Sequence, residues 1–330
     1  MTQAESLHVQ NFEGIEMIIA IDSTARGPAL GGCRWKLYTS PDAARADARA
    51  LAGAMTRKAA LARLSLGGGK SVVAGDPRTR TREQLLAFGR FVEELGGKYI
   101  TAADMGTGEQ EMVVIRETTS HVAGLPMEAG GCGDPGPFTA RGVLLAMRAA
   151  LEHCDKTLAG ARVAIQGVGS VGSEMANLLL AEGADVIVAD TDRKRLEDLP
   201  GGVRVVAPEA IAHETCDIFA PSGPPNVIDE RVARELNCSI VCGAANNPLV
   251  SRDVARTLQA RGILFVPDYL ANAGGLIHLA VALDGGDAKG TLKHLEVIPE
   301  NLAAVLERAK ADNADMATTA DRMARELVPN

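Results

Sequence analysis

The apolar run from Ile15 to Ile21 predicts a strand, and a stretch rich in Gly and Pro, residues 27–32, follows it. Ser40-Pro41 then predicts the N-cap and first turn of a long helix. Within that helix Leu51, Met55 and Lys58 fall at i, i+4 and i+7 and share one face. Ala48, Ala52, Ala59 and Ala62 widen the face, while Arg49, Arg57 and Arg63 lie mostly off it. Gly67-Gly68-Gly69 interrupts the pattern. Three glycines give up side-chain packing and backbone entropy that a helix or strand would keep, so they predict a loop where backbone approaches another group closely. Lys70 opens a short apolar strand to Ala74. Thr81 and Gln84 form a capping box for a helix to about Leu95, which Gly96-Gly97 ends. Tyr99 to Ala102 predicts another strand with Asp104 just past it, and Thr107 with Gln110 a second capping box.

The rhythm changes after residues 124–137, a Gly- and Pro-crowded stretch that marks a domain boundary. Thr139 predicts the cap of a helix to about His153. Strands at 161–166, 185–189, 203–206, 217–220, 239–242 and 263–266 then alternate with helical segments such as 170–182. That is the pattern of a doubly wound parallel sheet in an α/β fold. Its first unit runs from the strand Ala161–Gln166 straight into Gly167-Val168-Gly169-Ser170-Val171-Gly172 and a helix, and the second strand ends in Asp190. In such a fingerprint Gly167 serves the tight turn, Gly169 the approach of a pyrophosphate, and Gly172 close helix packing. The helix N-terminus supplies amides for the phosphates. Asp190 suits ribose hydroxyls and predicts NAD over NADP; Arg193 is the nearby cation able to oppose that preference.

Length and composition fit a soluble two-domain protein. The 330 residues are 46% hydrophobic, 23% charged and only 3% aromatic, so small and aliphatic side chains must build the core. A net charge of −8 argues against nucleic acid or an anionic membrane as the main partner. The six cysteines show no C-x-x-C pair and no metal-ligand spacing, and read as reduced structural thiols. The first ten residues lack a basic and apolar leader pattern, and no run reaches membrane-span length, which predicts a cytoplasmic protein.

Two lysines and an aspartate are the candidate chemistry. Lys58 stands on the apolar side of its own helix, where an ammonium needs a carboxylate, a ligand or a lowered pKa. Many helical lysines instead carry the charge out to solvent. The GGGK segment lacks P-loop spacing and reads equally as a turn or an anion-holding loop. Asp104 occupies a strand-to-helix connection, where catalytic groups and ordinary turn residues both occur.

Taken together, GPALGGCR, MTRKAALARLSLGGGK, YITAADMGT, the glycine-rich unit, CGAANNPL and PDYLANAGGLIHL resemble the leucine, phenylalanine and valine dehydrogenase family of the glutamate dehydrogenase superfamily. The pattern is nearest to leucine dehydrogenase and covers roughly residues 14 to 327. The resemblance implies a substrate and assembly domain over 1–136 and a Rossmann NAD domain over 137–305, with a cleft between them. A helical segment over 306–330 would pack back on the first domain. It implies reversible oxidative deamination of an L-amino acid to a 2-oxo acid and ammonia by a homo-oligomer. By motif match, Lys58 holds the substrate carboxylate, Lys70 the water or developing carbonyl oxygen, and Asp104 is the general base. Gly31, Gly67, Gly68, Asn246 and Asn247 contact substrate, and Leu30, Met55, Ala102, Leu276 and Leu279 line an aliphatic side-chain pocket. Thr139, Ser170, Val171, Ala220, Asn247 and Asn272 join Gly167, Gly169, Gly172 and Asp190 around NAD.

Two stretches depart from the pattern. Residues Ala220 to Pro225 read APSGPP where leucine dehydrogenases have APCALG, and Ala103 replaces the acidic residue before the catalytic aspartate. Alternatives are an aromatic or unusual amino acid substrate in a biosynthetic pathway, another Rossmann dehydrogenase, and a degenerate NAD-binding regulatory module. The second would not need Lys58, Lys70 and Asp104 together, and the third would usually have lost one of them.

Overall fold

The computed structural model of the protein describes residues 6–329. The chain divides into two compact units. One contains the residues up to Pro135, His278–Asp287 and the chain from Ala324; the other contains Gly136–Ile277 and Ala288–Met323.

The first unit carries strands β1 (Ser6–Phe12), β2 (Ile15–Ser23), β3 (Ala29–Lys36), β4 (Gly67–Ala74) and β5 (Tyr99–Ala103), in the order β1-β2-β4-β3-β5. β2 runs antiparallel to β1 and β4, whereas β3 runs parallel to β4 and β5. Helix α1 (Pro41–Leu61) begins where expected, with the Ser40 hydroxyl accepting from the Ala43 amide at 3.1 Å. Its buried stripe is made of small residues: Ala44, Ala48 and Ala52 pack on Ile18, Ala20 and Val72 of β2 and β4. Leu51, Met55 and Lys58 flank that stripe and are half-buried. The scarce aromatics Trp35, Phe88 and Tyr99 are fully buried in a second cluster with Met17 and Ile115.

Two expectations change here. Gly67-Gly68-Gly69 is not a loop but the first part of β4. Each glycine is there because something lies close against the strand: a β-carbon on Gly68 would stand 2.0 Å from the Thr56 amide nitrogen of α1, one on Gly67 1.9 Å from the Ser23 carbonyl oxygen, and one on Gly69 2.8 Å from the Tyr99 ring. Likewise the Gly- and Pro-rich stretch 27–32 supplies the first half of β3, Ala29 to Gly32. Local composition suggested looseness, but the third dimension required thinness.

Helix α2 (Arg82–Glu93) has the expected capping box, with reciprocal bonds of 3.2 and 3.0 Å between Thr81 and Gln84. The second box does not form. Helix α3 (Glu109–Ile115) starts later, and Glu111 accepts from the Gly108 amide at 2.7 Å. The Thr107 hydroxyl is instead occupied by the Cys33 carbonyl at 2.7 Å and the Asp104 amide at 3.0 Å.

In the second unit, helix α4 (Gly136–His153) begins three residues before the expected cap, so Thr139 lies inside its first turn. Pro137 explains the early start, since a first helical turn needs no amide from that residue. Six strands follow: β6 (Arg162–Gln166), β7 (Asp185–Ala189), β8 (Arg204–Val205), β9 (Ile218–Pro221), β10 (Ile240–Val241) and β11 (Leu264–Phe265). Their order is β8-β7-β6-β9-β10-β11, with all pairings parallel. Counted from β6 this is the 3-2-1-4-5-6 order of a Rossmann sheet. The helices are α5 (Ser170–Ala181), α6 (Arg193–Glu197), α7 (Glu230–Glu235), α8 (Arg252–Ala260), α9 (Asp268–Ala271), α10 (Gly274–Leu283), α11 (Ala288–His294), α12 (Val297–Asp312) and α13 (Met316–Glu326). The fold is therefore α/β, with two units and a doubly wound sheet in the second. Among the described residues no helix is long and apolar enough to cross a membrane.

Candidate active site

Three neighbouring strands of the first unit bring its predicted site residues together. Leu30 pairs with Gly68 on one side and Ile100 on the other, and Gly31 and Gly32 stand opposite Thr101 and Ala102. Gly67, Gly68 and Lys70 lie on β4 beside them, and Asp104 is the residue after β5. Lys70 is 5% exposed, and its Nζ sits 2.9 Å from Asp104 Oδ2. A buried ammonium has thus found its carboxylate.

The same oxygen of Asp104 also accepts from Arg34 Nε at 3.0 Å. Arg34 reaches Asp47 Oδ2 with Nη1 at 3.2 Å, and the Tyr38 hydroxyl donates to that oxygen at 2.6 Å. Burial pushes the Asp104 carboxyl up, but Lys70 and Arg34 outweigh it and hold the group below the ordinary carboxylate range. Burial pushes the neighbouring Cys33 thiol up to about 12 and raises the Tyr99 phenol as well. Both stay neutral, so Asp104 is the anion of this cluster that faces Lys70. Arg34, Asp47 and Tyr38 had escaped the sequence reading, which has Thr107 only as a helix cap. The available signal was Arg34 itself, a charge inside the otherwise apolar run from Ala29 to Trp35.

The remaining substrate candidates are distributed as follows. Met55 and Lys58 are half-buried on α1, which packs on β4. Ala102 is buried in β5. Leu276 and Leu279 are both buried on α10; the first belongs to the second unit and the other to the first.

The second unit holds the cofactor candidates. Gly167 adopts φ +98° and Gly172 closes on it so tightly that a β-carbon there would stand 2.1 Å from the Gly167 carbonyl oxygen. Gly169 is the N-cap of α5 and makes no side-chain capping bond, which leaves the first-turn amides of Ser170 and Val171 for an anion. Asp190 accepts from the Val168 amide at 2.8 Å and from the Asp192 amide at 2.8 Å. Burial raises this carboxyl, but those amides and Arg195 bring it below its usual range. Arg195, not Arg193, is the cation that reaches Asp190, at 3.8 Å. It is the third residue of α6, and the helix turns it back toward the acid. Ala220 is fully buried in β9, and the following Ser222-Gly223 abuts Gly167.

Asn246, Asn247 and Asn272 cluster after β10 and β11. The Asn272 amide donates to Asn246 Oδ1 at 2.9 Å and to the Ala244 carbonyl at 3.0 Å. Its own Oδ1 is buried without a hydrogen-bond partner. The Asn247 amide donates to Asp268 at 2.9 Å. Thr139, in the first turn of α4, lies next to Gly274 at the start of α10. A glycine-walled loop, open helix amides, an acid just past β7 and an orphaned amide oxygen fit a dinucleotide with a carboxamide end.

Comparisons with known proteins agree. Residues 3–121 match the Glu/Leu/Phe/Val dehydrogenase dimerisation domain, and residues 130–194 and 188–328 match the Glutamate/Leucine/Phenylalanine/Valine dehydrogenase family. The chain is 40% identical over 322 residues to leucine dehydrogenase of Bacillus subtilis (strain 168), covering 96% of this chain and 88% of that protein. It is 41% identical over 321 residues to a Streptomyces albus valine dehydrogenase, covering 95% and 88%. The crystal structure of L-tryptophan dehydrogenase from Nostoc punctiforme superposes with a TM-score of 0.85 at 33% identity, covering 98% of this chain and 96% of the other. A fold, a buried lysine–aspartate pair and family matches across nearly the whole chain thus converge: the protein belongs to the glutamate/leucine/phenylalanine/valine dehydrogenase family and is an amino-acid dehydrogenase.

Proposed function

We propose that the protein catalyses the reversible, NAD-dependent oxidative deamination of aliphatic L-amino acids to 2-oxo acids and ammonia. The observation that carries this reading is the buried pair of Lys70 and Asp104, 2.9 Å apart, the first from the middle of β4 and the second just past β5, with β3 between the two strands. Relatives of about 40% identity named for leucine and valine support an aliphatic substrate. The tryptophan dehydrogenase at 33% identity is what supports the alternative, an aromatic substrate. Asp190 supports NAD because a 2′-phosphate would meet its carboxylate. Residues 1–136 serve substrate and assembly, residues 137–305 serve the cofactor, and the protein works as a cytoplasmic homo-oligomer.

NAD, which the Gly167–Gly172 loop and Asp190 would hold, would supply a hydride acceptor for the substrate α-carbon. Lys58 pairs with the substrate carboxylate, helped by the thin backbone at Gly67 and Gly68. Lys70 donates a hydrogen bond to the oxygen that develops on the α-carbon, where a preorganised ammonium out of water is most effective. Asp104, a carboxylate at neutral pH, takes a proton from the attacking water and returns one to the departing amine. Asn246 and Asn247 orient the substrate, and Thr139 and Asn272 hold the carboxamide of the cofactor. Leu30, Met55, Ala102 and Leu279 select the side chain.

The test follows NADH formation at 340 nm, at alkaline pH, with L-valine, L-leucine, L-phenylalanine and L-tryptophan. The aliphatic pair is expected to give the highest kcat/KM. A win for phenylalanine or tryptophan would overturn the substrate class, and no NADH with any of them would overturn the activity.

A further inference from the structure

Asp104 Oδ2 accepts from two cations, and the two are held differently. Among the described residues Asp104 is the carboxylate that pairs with Lys70, whose ammonium sits on a flexible stem. Arg34 is braced from both sides: Nε binds Asp104 at 3.0 Å and Nη1 binds Asp47 at 3.2 Å. Asp47 is itself fixed by the Tyr38 hydroxyl at 2.6 Å, with Lys36 Nζ at 3.9 Å. A planar guanidinium shared between two carboxylates resists reorientation, whereas a single ammonium can turn.

The proposed reaction makes one of these contacts temporary. An ammonium that serves the substrate oxygen loses part of its contact with Asp104. A carboxylate whose side chain is only 21% exposed would then tend to take up a proton and cease to be a base. We propose that Arg34 is a positioning residue that stays on Asp104 while Lys70 turns to the substrate, keeping the base charged and aimed, with Asp47 as its anchor. The inference rests on Asp104 acting as the base.

The surroundings leave Arg34 that task. On β3, Cys33 is a neutral neighbour; on β5, Tyr99 is another. Tyr38 is kept protonated by burial and by Asp47. Arg80 donates to the Gly106 carbonyl at 2.6 Å and is paired with Glu111. The Thr107 hydroxyl holds the Asp104 backbone at 3.0 Å and contributes no charge.

The experiment compares the full-length wild type with Arg34→Met, Arg34→Lys and Asp47→Asn, using L-leucine and NAD as probes. In Arg34→Met the acid limb of kcat/KM should move up by about one pH unit or more, as expected for loss of one close opposite charge. Arg34→Lys should recover part of the shift, and Asp47→Asn, which keeps the Arg34 charge and removes a nearby negative one, should not raise the limb. A second readout is independent of turnover: 13C-carboxyl NMR of aspartate-labelled protein, with the Asp104 signal identified by its loss in Asp104→Asn. Its titration midpoint should rise in Arg34→Met. An unmoved Asp104 midpoint in a folded Arg34→Met overturns the proposal, whatever happens to kcat. If that variant fails to fold, Arg34→Lys decides by the same midpoint, which should lie above that of the wild type. Full turnover in Asp104→Asn would instead overturn the reading of Asp104 as the base.

Discussion

Substituting Gly68 by alanine tests whether the glycines of β4 are there for thinness. The new β-carbon would stand 2.0 Å from the Thr56 nitrogen, 2.3 Å from its Oγ1 and 2.5 Å from its Cα. Reaching an ordinary 3.4 Å contact with that nitrogen requires α1 to retreat by about 1.4 Å. The obstacles include main-chain atoms, so no rotamer change relieves them. Overpacking of this kind costs about 3 kcal/mol, at the upper end of its usual range, and should lower the melting temperature by about 6–12 °C. Lys70 lies two residues further along the same strand. A shift of about 1 Å in a catalytic group costs on the order of 100-fold in rate, so kcat should fall by about that factor even in the folded fraction. The control is Gly201→Ala, where a β-carbon meets nothing within 4 Å and the change should stay within about 0.5 kcal/mol. Calorimetry and initial rates on both variants suffice. A Gly68→Ala protein that melts and turns over like Gly201→Ala would refute the reasoning.

Asp104→Asn should keep cofactor binding and lose turnover by on the order of 10²–10⁴-fold, measured by NADH formation beside NADH fluorescence titration. Because the folded Asp104 carboxyl lies below its unfolded value, its stabilisation is complete above pH of about 4 and is lost as pH falls through the lower folded value; acid unfolding of Asp104→Asn should therefore be the flatter of the two curves. Wild type should prefer NAD to NADP, and Arg195→Ala should widen the ratio of kcat/KM by up to about 5-fold, the reach of a half-exposed ion pair; a wider tolerance of NADP in that variant would contradict it. Leu279→Ala should cost about 2–5 kcal/mol in stability and raise kcat/KM for phenylalanine relative to valine; an unchanged ratio would remove Leu279 from substrate selection.

How much of this was legible in the chain depended on how local its cause was. The Rossmann half could be read because its signals are consecutive: the strand, Gly167 to Gly172, the helix and Asp190 lie within thirty residues. Strand lengths there were overestimated, with β8, β10 and β11 reduced to two residues each; α4 starts three residues before its expected cap, and Arg195 reaches Asp190 where Arg193 was expected. Lys70 and Asp104 were legible by motif, yet their contact was not, since it depends on β3 lying between β4 and β5. Arg34 was missed for that reason: its partner is 70 residues away. The three glycines of β4 misled because the groups they make room for, the Ser23 carbonyl, Thr56 of α1 and the Tyr99 ring, are brought there by tertiary packing that no local pattern encodes. Thr107 looked like a cap and became a brace for the loop carrying Asp104.

The discontinuity of the first unit has a consequence during synthesis. All five strands and the Lys70–Asp104–Arg34 cluster are encoded before Pro135, but the unit also needs His278–Asp287 and the chain from Ala324, where the Leu327 carbonyl accepts from Arg26 at 2.9 Å. At about 5–20 residues per second, a ribosome takes on the order of 10–40 s to travel from Pro135 to Ala324. For most of that interval the nascent sheet waits without either later segment, and after Asp287 it still lacks the last, while the second unit is made inside the span the first awaits. The polypeptide therefore closes its earliest-made half last.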